Sequence, residues 1–163
     1  MTLLHPGDAF PSLAVSLPGG DTLELPRTVA GGYAVVLLFR GSWCPFCNAQ
    51  LRAFERSHDR LAELGVRVVA LSADDEASTR ALVGRHGLTF PVGHGADPAA
   101  LHDALGAFVS GEPPYVESTG FILDPDGRVV VSVYSSGAIG RLLPDDVIGL
   151  IRYLRDKAPA EAA

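Results

Sequence analysis

Residues 33–39 read Tyr-Ala-Val-Val-Leu-Leu-Phe, and both cysteines of the chain follow at once, in Trp43-Cys44-Pro45-Phe46-Cys47-Asn48. A run this apolar does not suit a solvated edge and reads as a central strand buried on both faces. Arg40-Gly41-Ser42 ends the strand. A helix then starts near Pro45, where the missing proline N–H costs nothing. Cys44 thereby stands at a helix N-terminus, where unpaired N–H groups and the helix dipole stabilise a thiolate. Cys47 falls one turn later on the same face, within reach of a disulfide. A strand, a turn and a Cys-x-x-Cys helix start together point to thiol redox chemistry.

The rest of the chain supplies alternating elements around this unit. Leu13 to Leu25 alternates about Pro18-Gly19-Gly20-Asp21 and reads as an N-terminal hairpin. The helix from Pro45 is expected to run to about Leu64, with Phe46, Leu51, Phe54, Leu61 and Leu64 at helical spacings. Val66 to Leu71 is the next buried strand. Ser72 to Asp75 can cap a helix ending near His86, with Gly87 beyond it. Leu88 to Val92 is a short extended piece, and a helix follows from Asp97-Pro98. Pro125-Asp126-Gly127 joins strands 120–124 and 128–133 in the clearest hairpin of the sequence. Pro144-Asp145-Asp146 opens a last helix bearing Val147, Ile148, Leu150, Ile151 and Leu154. The pattern predicts one α/β domain over 1–157, a mixed central sheet flanked by helices, and a frayed tail at 158–163.

Composition narrows the function classes. A net charge of −6 without a Lys/Arg cluster argues against a nucleic-acid surface. The longest apolar run, 34–39, is far short of the ~20 residues that cross a bilayer. Residues 1–8 carry neither a basic nor an apolar signal region, which favours a cytoplasmic location. Two cysteines are too few for a stabilising framework in such a chain and mark redox or metal chemistry. Zinc would need further ligands, and His58, His86, His94 and His102 are scattered without ligand-like spacing. Nothing calls for a bound organic cofactor.

Arg40, four residues before Cys44, is a second source of thiolate stabilisation or else a plain surface charge. Trp43 covers one side of the thiol or is an aromatic core residue. Cys47, deeper in the helix, suits a resolving thiol that attacks an adduct on Cys44. Buried, inert cysteines are the bland alternative.

With these residues in view, the chain resembles the thioredoxin superfamily, in its peroxiredoxin-like branch related to alkyl hydroperoxide reductase C and thiol-specific antioxidant proteins. The resemblance rests on Pro6-Gly7-Asp8-Ala9-Phe10-Pro11, on 35–54 through the cysteines, on Phe90-Pro91-Val92, and on 121–129. It implies a thioredoxin-like fold with Cys44 as nucleophile, attacking a peroxide or disulfide. It also implies a thioredoxin-type or low-molecular-weight thiol as reductant, and it allows a homodimer.

Three features depart from that branch. Gly41 stands where peroxiredoxins carry a threonine, and Leu37 stands near the place of their proline. Cys-Pro-Phe-Cys is closer to glutaredoxins, and Trp43-Cys44 to thioredoxins. The segment Tyr115 to Gly120 has neither the cis-proline of thioredoxins nor the arginine of many peroxiredoxins; Pro113-Pro114 lies a few residues early. Ser118 and Thr119 align with the wall facing Cys44, Pro45 supports the helix start, and Arg141 is either a replacement guanidinium or a surface charge. The leading expectation is a thiol peroxidase that closes a Cys44–Cys47 disulfide. A thiol-disulfide oxidoreductase and a non-catalytic redox sensor remain open alongside it.

Overall fold

A computed structural model describes residues 2–162, with side chains described through Lys157. The hairpin is present as β1 (Leu13–Ser16) and β2 (Thr22–Leu25), antiparallel, with Leu13 opposite Leu25. The apolar run forms β3 (Ala34–Leu38), every residue of it buried. Helices α1 (Pro45–Arg56) and α2 (His58–Glu63) follow, then β4 (Arg67–Leu71), α3 (Glu76–His86), β5 (Val92–Gly93) and α4 (Pro98–Leu105). A small ribbon, β6 (Val109–Ser110) and β7 (Tyr115–Val116), precedes β8 (Thr119–Leu123), β9 (Val129–Tyr134) and the final helix α5 (Pro144–Ala162).

The central sheet has strand order β5-β4-β3-β8-β9. β3 pairs parallel with β4 and antiparallel with β8, so the sheet is mixed, as expected for a thioredoxin-like domain. Strand alternation divides the core into two layers. Val35, Leu37 and Phe39 face Leu51, Phe54, Leu61, Leu82 and Ile151 of α1, α2, α3 and α5. Ala34, Val36 and Leu38 face the other way, onto Leu25 of the hairpin, Leu101 and Leu105 of α4, and Phe121. β3 therefore has no solvated face, which explains its unbroken hydrophobicity, and its C-terminal end is fixed from both sides.

Two expectations are corrected. The single helix to Leu64 is divided at Ser57 (φ −96°, ψ 10°), whose N–H is shared among the carbonyls of Ala53, Phe54 and Glu55. This tightening turns α2 so that Leu61 keeps its place in the core. Phe46 is half exposed rather than part of the buried stripe. Asp75 caps α3 by accepting the Ser78 N–H at 2.8 Å, and Gly87 ends the helix in the left-handed region at φ 60°. The ribbon β6–β7 was not foreseen, since two-residue strands leave no periodicity. The tail expected at 158–163 bears on residues whose side chains lie outside the described set; the backbone of 158–162 continues α5.

Candidate active site

The site is built where β3 hands over to α1. Cys44 is the N-cap of α1, in extended backbone (φ −88°, ψ 114°), and its sulfur accepts the Cys47 N–H at 3.3 Å. Pro45 occupies the first helical turn, as expected. Neighbouring segments hold the turn in place. Asn48 Nδ2 donates to the carbonyls of Ser42 (2.9 Å) and Cys44 (2.8 Å), and its Oδ1 lies 2.6 Å from His86 Nε2. The Ser42 N–H donates to Asp74 Oδ2 at 2.8 Å. Both cysteines are free thiols with 0% exposure.

Arg40 is part of the site and not a surface charge. Its Nη1 lies 3.6 Å from Cys44 Sγ, its Nε donates to Glu117 Oε2 at 2.9 Å, and its Nη2 donates to the Tyr115 hydroxyl at 3.1 Å. The guanidinium also lies over two aromatic rings, 4.9 Å from the Trp43 centroid and 5.2 Å from that of Tyr115. These rings meet edge to face at 4.9 Å. Glu117 is 3% exposed, so its charge is balanced by Arg40 rather than by water. Trp43 is 54% exposed, which corrects the reading of it as a core residue.

Arg141 reaches the cysteines from the segment between β9 and α5, which corrects the surface-charge alternative. Its Nη2 lies 3.1 Å from Cys47 Sγ and 3.6 Å from Cys44 Sγ. Its Nη1 donates to Gln50 Oε1 and its Nε to the Ala138 carbonyl, both at 2.8 Å. Gln50, 4% exposed, donates in turn to the Leu142 carbonyl at 2.8 Å. Two guanidinium groups from distant segments of the chain thus converge on one sulfur at a helix N-terminus.

The charge distribution separates the two thiols. Burial alone would raise Cys44, but hydrogen bonds from the Cys47 thiol and N–H and from Arg40, with the Arg141 charge, outweigh it. The Cys44 pKa falls below the ordinary 9.0. Burial, and the hydrogen bond that Cys47 gives to Cys44, push Cys47 up to about 11 against the pull of Arg141. Of the pair, Cys44 is the thiol that ionises first and Cys47 the one that keeps its proton longer. Burial acts to lower Arg40, but its bonds to Cys44 and Tyr115 and the Glu117 charge raise it overall, so it stays cationic.

The missing threonine has a steric counterpart. A Cβ at Gly41 would lie 2.1 Å from Trp43 Nε1, because the indole folds back over that residue. Ser118 and Thr119 are buried, but no hydrogen bond links either side chain to a sulfur among the described residues; Thr119 Oγ1 donates to the Glu117 carbonyl instead. The residue that reaches the site from this wall is Glu117, through Arg40. Pro113, preceded by a cis peptide bond, lines a cleft of about 520 Å³ with Arg40, Trp43, Asp74 and Tyr115. Glu117, Gln50 and Tyr115 were missed from sequence. Among the described residues, no cluster of three or more His, Cys, Asp or Glu could hold a metal.

The AhpC/TSA family model matches residues 6–132. A peroxiredoxin of Treponema denticola is 28% identical over 156 residues, spanning 91% of this chain and 73% of that protein. The thiol-disulfide oxidoreductase ResA of Bacillus thuringiensis is 30% identical over 128 residues, 78% of this chain and 68% of that protein. Among solved structures, peroxidoxin BcpB of Mycobacterium tuberculosis superposes with a TM-score of 0.79 at 17% identity, covering 92% of this chain and 97% of that one. AhpC of Mycobacterium bovis gives 0.78 at 22% identity, covering 96% of each. At such identities these structures bear on the fold alone, while the family match takes in the Cys-x-x-Cys turn, β3, β4, β8 and the first four residues of β9. The chain belongs to the AhpC/TSA family and is a peroxiredoxin-like oxidoreductase.

Proposed function

We propose that the protein reduces hydrogen peroxide or alkyl hydroperoxides through Cys44 and Cys47. The observation that carries this reading is a fully buried Cys44 sulfur with two guanidinium nitrogens, one from Arg40 and one from Arg141, each 3.6 Å away. A small peroxide needs only a slight opening to reach such a sulfur, whereas a protein disulfide needs a large one. The Cys44 thiolate attacks one peroxide oxygen, the O–O bond breaks, and the sulfur becomes a sulfenic acid. The departing oxygen leaves with the bonding pair and takes a proton from water. Arg40 and Arg141 stabilise the charge that develops on it, in place of the threonine hydroxyl excluded at Gly41. Cys47 then attacks the sulfenic sulfur, closing the Cys44–Cys47 disulfide and releasing water. Two equivalents of a thiol, from a thioredoxin-type protein or a small molecule, reduce that disulfide and leave as the oxidised partner. A dithiol kept for turnover suits a reducing compartment such as the cytoplasm. No helix among the described residues is long and apolar enough to cross a membrane.

One observation favours a second reading, a general thiol-disulfide oxidoreductase. Trp43 and Phe46 flank the cysteines at 54% and 50% exposure and form an apolar rim on which another protein could rest. The two readings separate in one experiment. The reduced protein is mixed with hydrogen peroxide, and separately with a small disulfide, following Trp43, the only tryptophan. A peroxide rate constant orders of magnitude above that of free cysteine, lost in Cys44→Ser, supports the peroxidase. A peroxide rate no better than free cysteine, beside a fast disulfide rate, overturns it in favour of the second reading.

A further inference from the structure

We infer that Arg141, besides its part in the first attack, is a catalytic residue of the resolving step: it activates Cys47 once Cys44 carries an adduct, whereas Arg40 acts mainly in the first attack. The two guanidinium groups are held differently. Arg40 is bound to a buried carboxylate, Glu117 at 2.9 Å, which offsets its charge and leaves it an oriented hydrogen-bond donor to Cys44. Arg141 forms no ion pair among the described residues. Its partners are the neutral Gln50 amide, the Ala138 carbonyl and the two sulfurs, so its charge is directed at the cysteines. Of the two sulfurs it lies nearer Cys47, at 3.1 Å against 3.6 Å for Cys44.

The charged and titratable groups around Cys47 are few. Cys44 lies on its own helix turn, Arg40 donates a backbone N–H at 3.4 Å, Glu117 stands behind the Arg40 guanidinium, and Arg141 approaches from the segment before α5. In the reduced protein Cys47 is pushed up to about 11, by burial first and then by the hydrogen bond it gives to the Cys44 thiolate. Converting Cys44 to an adduct removes that negative charge. What then remains is burial, opposed by the Arg141 cation and the Arg40 N–H, and the Cys47 thiol becomes more acidic than in the reduced protein when a nucleophile is needed. The second thiolate is thus released by completion of the first step. In the balanced reaction, Cys47 loses its proton to water, its sulfur bonds to Cys44, and the group on Cys44 leaves with the electron pair.

This inference rests on the proposed function only in taking Cys47 as the resolving thiol, so its test uses no peroxide. The reduced protein is treated with one equivalent of dithiodipyridine at acid pH, where Cys44 releases the first thiopyridone. A jump to higher pH then starts the attack of Cys47, which releases the second. Arg141→Gln removes the charge and keeps an amide able to hydrogen-bond; Arg141→Lys keeps the charge. A cation in contact moves a thiol by about one to two pH units. The midpoint of the second release is therefore expected to rise by that amount in Arg141→Gln, with the rate at neutral pH falling by about ten- to a hundredfold and the alkaline plateau unchanged. Arg141→Lys recovers most of the shift, and Arg40→Met slows the first release more than the second. An Arg141→Gln midpoint equal to that of the unsubstituted protein overturns the inference. So does a variant that slows the first release as much as the second. Should Arg141→Gln fail to fold, Arg141→Met takes its place as the charge-removing variant: an upward shift of its midpoint by about one to two pH units supports the inference, and a midpoint equal to that of the unsubstituted protein overturns it.

Discussion

Replacing Arg40 with methionine removes one half of the ion pair with Glu117 and leaves the carboxylate where water cannot reach it. The Glu117 side chain is 4% exposed and that of Arg40 16%, with a 2.9 Å contact between them. Breaking a buried pair from one side costs about 3–5 kcal/mol, because the remaining charge is left uncompensated. Glu117→Gln should cost less, about 1–2 kcal/mol. The amide oxygen still accepts the Arg40 Nε–H, and Arg40 keeps its bonds to Tyr115 and Cys44 and its place over two rings. The double variant Arg40→Met/Glu117→Gln buries no charge and should recover about 1–3 kcal/mol relative to Arg40→Met. Urea unfolding under excess reductant measures all four proteins, with the midpoint shifting at constant slope. Costs that simply add in the double variant would show that the two side chains are not coupled, and would remove Glu117 from the account of how Arg40 is held.

Further outcomes follow from the same geometry. Alkylation of the reduced protein by iodoacetamide should show a Cys44 midpoint below 9.0, rising in Arg40→Met; an unshifted Cys44 midpoint would contradict the thiolate assignment. In the reduced protein, the stability due to the Cys44 thiolate is present above 9.0 and lost as pH falls through its lowered value. That due to the Cys47 thiol is complete below 9.0 and lost as pH rises through about 11. The stability difference between this protein and Cys44→Ser/Cys47→Ser should therefore peak around the ordinary thiol pKa, and a monotonic difference across that range would refute the opposite shifts. Gly41→Thr should not improve peroxide reduction, because the new side chain displaces the Trp43 indole; a changed tryptophan emission and a loss of about 1–3 kcal/mol are expected. A faster enzyme with unaltered emission would disprove the steric argument.

The sequence made legible what is written in contiguous pattern. β3 announced itself by an apolar run that only a doubly covered strand needs. The β8–β9 hairpin followed from Pro125-Asp126-Gly127, and Cys44 from the spacing of the cysteines at a helix start. What was not legible is assembled by tertiary contact. Arg141 lies 97 residues from Cys44 along the chain, in a loop whose Gly-rich sequence gives no direction to its side chain. Glu117 is not singled out beside its neighbours Ser118 and Thr119, because a lone carboxylate gives no sign in one dimension that it is buried. Only its match with Arg40, 77 residues away, makes that burial tolerable. Helical spacing points Phe46 to the core, yet the ring falls on the solvent side of the first turn of α1, whose other side buries Cys47.

The central claim is that Cys44 is oxidised by peroxide and Cys47 resolves it. Mass measurement of the reduced protein after one equivalent of hydrogen peroxide tests this directly, with Cys44→Ser and Cys47→Ser treated alongside. The account expects loss of two hydrogens as the Cys44–Cys47 disulfide closes, gain of one oxygen on Cys44 in Cys47→Ser, and no change in Cys44→Ser. Oxygen appearing on Cys47 in the Cys44→Ser protein at a comparable rate, or no oxidation of the unsubstituted protein beyond that of a free thiol, would contradict it.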